Sequence, residues 1–235
     1  MKFSEYCKLE EQFNMVSNQR LGSNPGGTYT HSPSGDKYYV KFPHDPQQAH
    51  VEVATAELYN TMGIKTLNPK IVNIDGKTGV ATKWQDHVKS FQHPVEYQYA
   101  IKNKDRMHEL AKMHHAAILT GNRDIVGMDY TNVMSNKHTG ELVSADQGGS
   151  MHFRAQGAKK PFGADIEDVQ SFQNPRFESG QVFSQVPHAE LKAAAVHLNK
   201  VTDDVVDSII AKHNLPKENA VVIKQRRDLL LKHFA

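Results

Sequence analysis

The sequence predicts an α+β fold of two lobes with a cleft between them, and three observations support this. Between residues 21 and 84, short aromatic and β-branched runs alternate with glycine turns, which predicts a mainly β lobe with one helix. From about residue 97 onward, apolar residues recur at helical spacing, which predicts a larger, mainly helical lobe. Polar side chains able to hold a ligand fall in both halves. We assign residues 1–84 to the N-terminal lobe and 85–235 to the C-terminal lobe.

The N-terminal lobe begins with a predicted helix and a glycine-rich loop. Residues 1–20 carry apolar side chains at helical spacing, which predicts a short amphipathic helix that caps the lobe. Glycines in the next segment let the backbone approach phosphate oxygens closely. We expect this loop to cover bound phosphates through Gly22, Ser23, Asn24, Gly26, Gly27 and Thr28. An ordinary hairpin turn is the alternative, and no Gly-Lys-Ser/Thr run closes the loop as a Walker motif would.

A strand and a helix after this loop can supply a buried ion pair. Residues 38–42 have the composition of a strand, and the alternation of its side chains turns Lys41 toward the cleft. Residues 47–62 have the apolar spacing of a helix. On that helix Glu52 and Glu57 are the two candidates to pair with Lys41.

Two further strands complete the predicted N-terminal lobe. Residues 70–74 and 79–84 flank Asp75-Gly76, a strong signal for a hairpin turn. The second strand ends at Lys83 and Trp84, where the backbone that links the lobes would meet the edge of a bound base. We expect Trp84 either to stack near that base or to be buried between the lobes.

The C-terminal lobe opens with a predicted helix from Tyr97 to Leu119, which leads into a polar loop. The loop holds Asp124 and, eight residues later, Asn132. A short predicted hairpin follows and ends at Asp146. An acid, an amide and a second acid in this order can hold a catalytic base and Mg²⁺, with Asn132 and Asp146 as the oxygen ligands.

From residue 21 to residue 157, a little over half of the chain, this order of residues resembles the protein-kinase-like superfamily. The resemblance is greatest to compact bacterial and phage proteins of the phosphatidylinositol 3/4-kinase-like and HipA types. It implies that Lys41 contacts the phosphates of ATP and that Glu52 orients Lys41. It also implies that Asp124 is the catalytic-loop acid and that Asn132 and Asp146 bind Mg²⁺.

The chain departs from the kinase pattern in two places. The acid and the amide are usually five residues apart, so Asp129, three residues before Asn132, is the alternative catalytic acid. We favour Asp124 because Arg123 precedes it, as in the Arg-Asp pair of many kinases. Gln147 follows Asp146 where many kinases have phenylalanine, so we expect no phenylalanine switch.

The last third of the chain is predicted to be a long loop and two helices. Residues 157–187 are rich in Gly, Pro, Gln and Ser, and they occupy the place of an activation or substrate-binding segment. Helices are predicted over 189–212 and 218–234, where Pro187 and Pro216 mark their starts.

Composition narrows the classes of partner. The net charge is only +2, and the basic residues are scattered rather than clustered in a patch that could bind nucleic acid. We therefore expect no nucleic-acid partner. The single cysteine, Cys7, fits a reducing compartment. The fourteen histidines lack the spacing of a zinc site. No stretch approaches the roughly 20 apolar residues of a membrane helix, and residues 1–6 lack the apolar core of a secretion signal. We therefore expect no stable membrane insertion and a cytoplasmic location in a bacterial or phage-infected cell, with delivery into a host cell left open.

The resemblance implies ATP and Mg²⁺ as ligands and a phosphotransferase activity. A hydroxyl on a protein is the preferred acceptor, because compact bacterial proteins of this kind tend to modify proteins. A small molecule or a lipid headgroup is the next acceptor. The same residues are compatible with transfer of AMP, with a pseudokinase that binds ATP without turnover, and with a structural phage protein.

Overall fold

The computed structural model describes residues 13–235. Its N-terminal part is a five-stranded antiparallel sheet in the order β1-β2-β3-β6-β5. The strands are β1 (Phe13–Ser17), β2 (Gly26–His31), β3 (Lys37–Lys41), β5 (Lys70–Ile74) and β6 (Lys77–Lys83). The strands predicted at residues 38–42, 70–74 and 79–84 are confirmed, as is the tight turn at Asp75-Gly76, where both residues have positive φ.

The helix predicted over residues 1–20 is wrong where the structure describes this part of the chain. Phe13–Ser17 is an edge strand that pairs with β2, and residues 1–12 lie outside the described residues. Phe13 is the buried residue of this strand, and its ring packs against those of Tyr29 and Tyr38. Val16, expected on the apolar side of a helix, is 65% exposed. Pairing of aromatic side chains across neighbouring strands therefore prevails over the helical spacing.

The helix α1 (Pro46–Thr61) packs between the sheet and the helical part of the chain. Its N-terminus is capped by Asp45, whose carboxylate accepts a hydrogen bond from the Gln47 amide at 2.8 Å. Val51, Ala54, Leu58 and Met62 belong to the large core that the C-terminal helices also share. The predicted helix and its inward face are confirmed, and they fix α1 against both halves of the molecule.

A second sheet joins the two halves. Its strands are β4 (Lys65–Thr66), β7 (Val88–Ser90), β8 (Val133–Asn136) and β9 (Leu142–Ser144), in the order β4-β9-β8-β7. The hairpin β8–β9 confirms the prediction for this segment. β4, from the first third of the chain, runs parallel to β9, so the hairpin that leads to Asp146 is tied to the residues just after α1.

The remaining helices form the C-terminal part. They are α2 (Pro94–Lys102), α3 (Lys104–Thr120), α4 (Asp168–Phe172), α5 (Glu178–Phe183), α6 (His188–Ala195), α7 (Asp203–Lys212) and α8 (Lys217–His233). None of the described helices is long and apolar enough to cross a membrane.

Two of the predicted long helices are broken, and in each case a polar cap explains the break. Asn103 ends α2 in an extended conformation, and its side chain accepts hydrogen bonds from the first amides of α3. The helix predicted over 189–212 is divided into α6, a 3-10 turn and α7, whose N-cap is Thr202. The last helix is confirmed, and Pro187 and Pro216 lie at the predicted starts.

Residues 157–187 are more ordered than their composition predicts. They contain α4 and α5, which pack on the main core through buried Phe172 and Phe183. These two rings stack on each other with their centroids 5.2 Å apart. The apolar residues of this segment are too few and too irregularly spaced to show helical periodicity, which is why the sequence predicts a loop.

Candidate active site

Lys41 forms the centre of a charged cluster at the base of the cleft. The end of β3 carries it, and its ammonium lies 2.9 Å from Glu52 on α1 and 2.7 Å from Asp146, just beyond β9. Its side chain is 14% exposed. The alternative prediction, that Glu57 pairs with Lys41, is wrong. Glu57 lies farther along α1 and pairs with Lys212 at the end of α7 and with His213 just after it.

The cluster perturbs the ionisation of all three groups. Burial raises the pKa of Glu52 to about 7, with Asp146 adding to the rise and Lys41 opposing it. Burial opposes the charge on Lys41, but the two carboxylates outweigh it and hold its pKa above the usual value. Loss of hydration in the cleft acts to raise the pKa of Asp146. The neighbouring Lys41 ammonium has the larger effect, so the pKa of Asp146 is lowered. Lys41 and Asp146 therefore form a charged pair.

A strained turn presents Asp146 to the cleft. Its backbone has φ 52°, a conformation uncommon for residues other than glycine. The Gly148 amide donates to the Asp146 carboxylate at 3.4 Å, and the Gly148 carbonyl accepts from buried Gln48 of α1 at 3.0 Å. Half of the Asp146 side-chain surface (51%) stays open to solvent. The turn therefore leaves the Asp146 carboxylate accessible, while the hydrogen bond from Gln48 fixes the backbone of the turn.

Asp124 and Asn132 are brought together, although eight residues separate them. The side-chain amide of Asn132 donates to the Asp124 carbonyl at 2.8 Å and to its carboxylate at 3.2 Å. The intervening residues form an extra turn, in which Gly127 has φ 77° and Ile125 and Val126 are buried. This turn absorbs the longer spacing and restores the contact between the acid and the amide.

Asp129 is placed differently. It lies at the exposed outer end of the same turn, next to Met128, which is 70% exposed. It lines neither of the two cavities described below. Its position therefore favours Asp124, whose carboxylate contacts Asn132, as the candidate acid, although both assignments stay predictions.

Asn122, which the sequence did not single out, orders the start of this loop. It is fully buried, and its side-chain oxygen accepts a hydrogen bond from the Asp124 amide at 3.1 Å. Its side-chain nitrogen lies 3.4 Å from the hydroxyl of Tyr59 on α1. Burial and the nearby Asp146 carboxylate raise the pKa of Asp124 to about 6. The acid is therefore held rigidly in a partly desolvated place.

A cavity of about 630 Å³ opens beside Lys41 between the two halves of the molecule. Its lining includes the predicted residues Gly22, Ser23, Asn24, Lys41, Glu52, Lys83, Trp84, Asn132 and Asp146. The amide of Leu21 donates to the Tyr39 hydroxyl at 2.9 Å, which anchors the glycine-rich loop over the cavity. A Cβ added at Gly22 would meet no protein atom within 4 Å, so space for a ligand remains there.

The other half of the predicted glycine loop has a different role. Gly26, Gly27 and Thr28 lie within β2 and do not line the cavity. A Cβ on Gly26 would lie 2.5 Å from the Val40 carbonyl, and one on Gly27 would lie 2.3 Å from the Ser17 carbonyl. The two glycines thus permit close approach of neighbouring strands, and only residues 21–24 of the predicted loop line the cavity.

The strand end at Lys83 and Trp84 faces the cavity, as predicted, but its side chains have other partners. The Lys83 ammonium pairs with Asp36 at 2.7 Å, and the Trp84 indole donates to Asp86 at 2.9 Å. Trp84 is 41% exposed, and Lys37 lies over its ring. Burial of Trp84 between the lobes is therefore wrong, and its ring stays accessible at the mouth of the cavity.

A second cavity, of about 540 Å³, has Asp124 in its lining. Its wall includes Lys160, whose ammonium donates to the carbonyls of Gly121 and Gly149 at 2.5 and 2.7 Å. This side chain links the loop before Asp124 to the turn after Asp146. The sequence carries no motif that would reveal Lys160 or Gln48, because both act on backbone carbonyls remote in sequence.

The donor set fits Mg²⁺ and a triphosphate. The Asp146 carboxylate and the Asn132 side-chain oxygen are hard oxygen ligands, and Mg²⁺ takes one or two protein ligands together with phosphate oxygens. Lys41 would supply a positive charge to the phosphates. Across residues 13–235, no group of three or more His, Cys, Asp or Glu side chains could hold a metal ion.

The adjacent histidines His114 and His115 lie in the core, where burial lowers their pKa values.

No protein-family model matches the chain, and no curated protein matches its sequence. Solved structures do resemble it. The crystal structure of a Helicobacter pylori proinflammatory kinase, CtkA, aligns with a TM-score of 0.63 and 14% identity, over 95% of this chain and 95% of that chain. HipA of Shewanella oneidensis MR-1, in a complex with HipB and operator DNA, aligns with a TM-score of 0.48 and 11% identity, over 94% of this chain and 65% of that chain.

Identities this low speak to the fold alone. The antiparallel sheet region, the α1 helix and the helical C-terminal part match the kinase CtkA over nearly its whole length. The predicted fold class is confirmed, and the chain has a mixed α+β, kinase-like fold.

Proposed function

We propose that this protein is an ATP- and Mg²⁺-dependent phosphotransferase that modifies a hydroxyl group on a protein. The observation that carries the proposal is the cluster in which Lys41 contacts both Glu52 and Asp146 at the base of a nucleotide-sized cavity. Kinases use a strand lysine, a helix glutamate and a metal-binding aspartate in this arrangement. The cluster occurs here in a kinase-like fold.

Each residue has a role that its position supports. Bound Mg²⁺-ATP would supply the phosphoryl group and neutralise charge on its oxygens. Lys41 holds the phosphates, and Glu52 keeps the Lys41 ammonium in the cavity. Asn132 and Asp146 offer their oxygens to the metal. Asp124, whose carboxylate stands beside Asn132, receives the proton of the acceptor hydroxyl.

The two cavities suggest where the two substrates lie. Lys41, Asn132 and Asp146 line the first cavity, whereas Asp124 lines the second. The contact between Asn132 and Asp124 forms the boundary between them. We place the nucleotide in the first cavity and the acceptor in the second, so that the hydroxyl reaches the phosphoryl group across this boundary.

A protein acceptor fits the second cavity, which runs along the surface segment 157–187 and has exposed Phe177 on its wall. Among possible compartments, we propose the cytoplasm, where a lone cysteine such as Cys7 stays reduced.

The test is incubation of the protein with a bacterial lysate, Mg²⁺ and ATP labelled at either the γ- or the α-phosphate. We expect label on protein from γ-labelled ATP and none from α-labelled ATP. Label from the α-phosphate would show transfer of AMP instead. ATP binding without any transferred label would contradict the proposal in favour of a pseudokinase.

A further inference from the structure

The segment 157–187 grips the residue next to the proposed catalytic acid. The Asp168 carboxylate of α4 accepts a hydrogen bond from the Arg123 guanidinium at 2.5 Å. The Ser179 hydroxyl of α5 donates to the Arg123 carbonyl at 2.9 Å. Both the side chain and the backbone of Arg123 are therefore fixed by this segment, directly before Asp124.

Asp168 is itself fixed to the core. Its other carboxylate oxygen lies 3.1 Å from the guanidinium of Arg226 on α8, and the two side chains are 3% and 5% exposed. Arg226 also donates to the carbonyls of Ile118 and Gly163, both at 2.6 Å, and lies over the Phe162 ring. The Asp168 carboxylate thus bridges the catalytic loop and α8 from a buried position.

Burial of a carboxylate is costly unless charged partners compensate for it. Here two guanidiniums do so, and each has a defined geometry. In many kinases the corresponding segment becomes ordered when a phosphate group is added to it and pairs with arginines. In this protein the carboxylate of Asp168, and not an added phosphate, contacts Arg123 and Arg226. The unmodified segment is already packed on the core.

We propose that Asp168 is a positioning residue whose carboxylate makes the arginine contacts that an activating phosphate makes in other kinases. Through Arg123 it fixes Asp124 and the acceptor cavity in the unmodified protein, so that transfer requires no prior phosphorylation of residues 157–187. This inference rests on the proposed phosphotransferase function.

The experiment uses protein treated with a phosphatase, repurified, and shown by mass spectrometry to carry no phosphate. Transfer from γ-labelled ATP to the protein itself and to casein is measured for wild type, Arg123→Gln, Asp168→Asn and the control Arg176→Gln. Arg123→Gln is the main variant, because its side chain is 63% exposed and the buried pair of Asp168 and Arg226 stays intact. Arg176 is exposed in the same segment and lines neither cavity.

We expect phosphate-free wild type to be active. Arg123→Gln should lower kcat about 10- to 100-fold, the scale that misplacement of a reacting group produces, with an unchanged KM for ATP. Amide hydrogen exchange over residues 165–180 should increase in this variant, and Arg176→Gln should match wild type in both measurements. Activity that appears only after phosphorylation of this segment would overturn the inference and leave the proposed function standing. Wild-type rates and exchange in Arg123→Gln would also overturn it. Absence of transfer from every form of the protein would overturn the proposed function, and the inference with it.

Discussion

The ammonium of Lys41 lies 2.7 Å from the carboxylate of Asp146, although 105 positions separate the two residues in the chain. In a phosphotransferase each group has a partner of opposite charge on the nucleotide side: phosphate for the lysine and Mg²⁺ for the aspartate. Their contact brings together the residues that we propose to bind phosphate and metal. Binding of Mg²⁺-ATP would therefore replace this ion pair with ligand contacts.

The first prediction concerns Lys41. Lys41→Met should lower the rate of phosphate transfer about 10²- to 10³-fold, the usual cost of removing one preorganised charge from a transition state. The matched control is Lys37→Met, on the same strand but outside the lining of the cavity. Steady-state rates with γ-labelled ATP decide the matter. Equal rates for the two variants would show that Lys41 does not hold the phosphates.

The second prediction decides between the two candidate acids. Asp124→Asn should lower kcat about 10²- to 10⁴-fold, since it removes the group that receives the proton. Asp129→Asn, at the exposed end of the same turn, should stay within about threefold of wild type, as surface changes remote from a site usually do. A dead Asp129→Asn beside an active Asp124→Asn would reverse the assignment.

The third prediction concerns Gln48, which holds the carbonyl of Gly148 behind Asp146. Gln48→Leu keeps the volume but leaves that buried carbonyl without its donor, which should cost about 1–3 kcal/mol of stability. It should also raise the Mg²⁺ concentration needed for half-maximal rate, because the Asp146 turn loosens. High Mg²⁺ should restore most of the rate.

Gln47→Leu, one position earlier on α1, is the control for a general effect on the helix. If Gln48→Leu lowers the melting temperature and leaves the Mg²⁺ requirement unchanged, Gln48 is structural only.

The fourth prediction is a pH dependence from Lys160. Burial lowers its pKa to about 8, with three neighbouring arginines adding to the effect and Asp168 opposing it. As pH rises through this value, the ammonium loses its charge and its hydrogen bonds to Gly121 and Gly149 weaken. Activity should therefore fall above pH 8. Stability should not fall with it, because the unfolded chain binds more protons at Lys160 in this range, and this favours the folded state as pH rises.

Lys160→Arg keeps a positive charge at all relevant pH values and should retain its rate above pH 8. Rates and melting temperatures of both proteins between about pH 6 and pH 10 test this. If the rates of wild type and Lys160→Arg change identically with pH above pH 8, Lys160 is not the titrating group.

Much of the site could be predicted from sequence, because its charged residues stand in an order tied to short, recognisable elements. Lys41 follows from strand alternation, and Glu52 follows from its place on a helix with a clear apolar face. Asp124 and Asn132 meet despite their unusual spacing, because a glycine turn absorbs the extra residues. In these cases a local pattern carries the information.

The rest depends on contacts that no local pattern records. Phe13 joins a sheet through aromatic partners that are distant in sequence, so its helical spacing misleads. Asn103 ends one helix and caps the next, which periodicity alone does not reveal. Gln48 and Lys160 bind the backbone carbonyls of glycines 100 and 39 positions away, and such acceptors have no sequence signature.

The most direct test of the central claim is the rate of γ-phosphate transfer by wild type and by Asp146→Ala, measured with Mg²⁺-ATP on the same protein acceptor. Both proteins should show the same circular dichroism spectrum, because the Asp146 side chain is half exposed and lies outside the core. We predict Mg²⁺-dependent transfer by wild type and a loss of about 10³-fold or more in Asp146→Ala, together with weaker binding of Mg²⁺-ATP. Equal transfer by a folded Asp146→Ala would contradict the assignment of Asp146 as a metal ligand and of the Lys41–Glu52–Asp146 cluster as the active site.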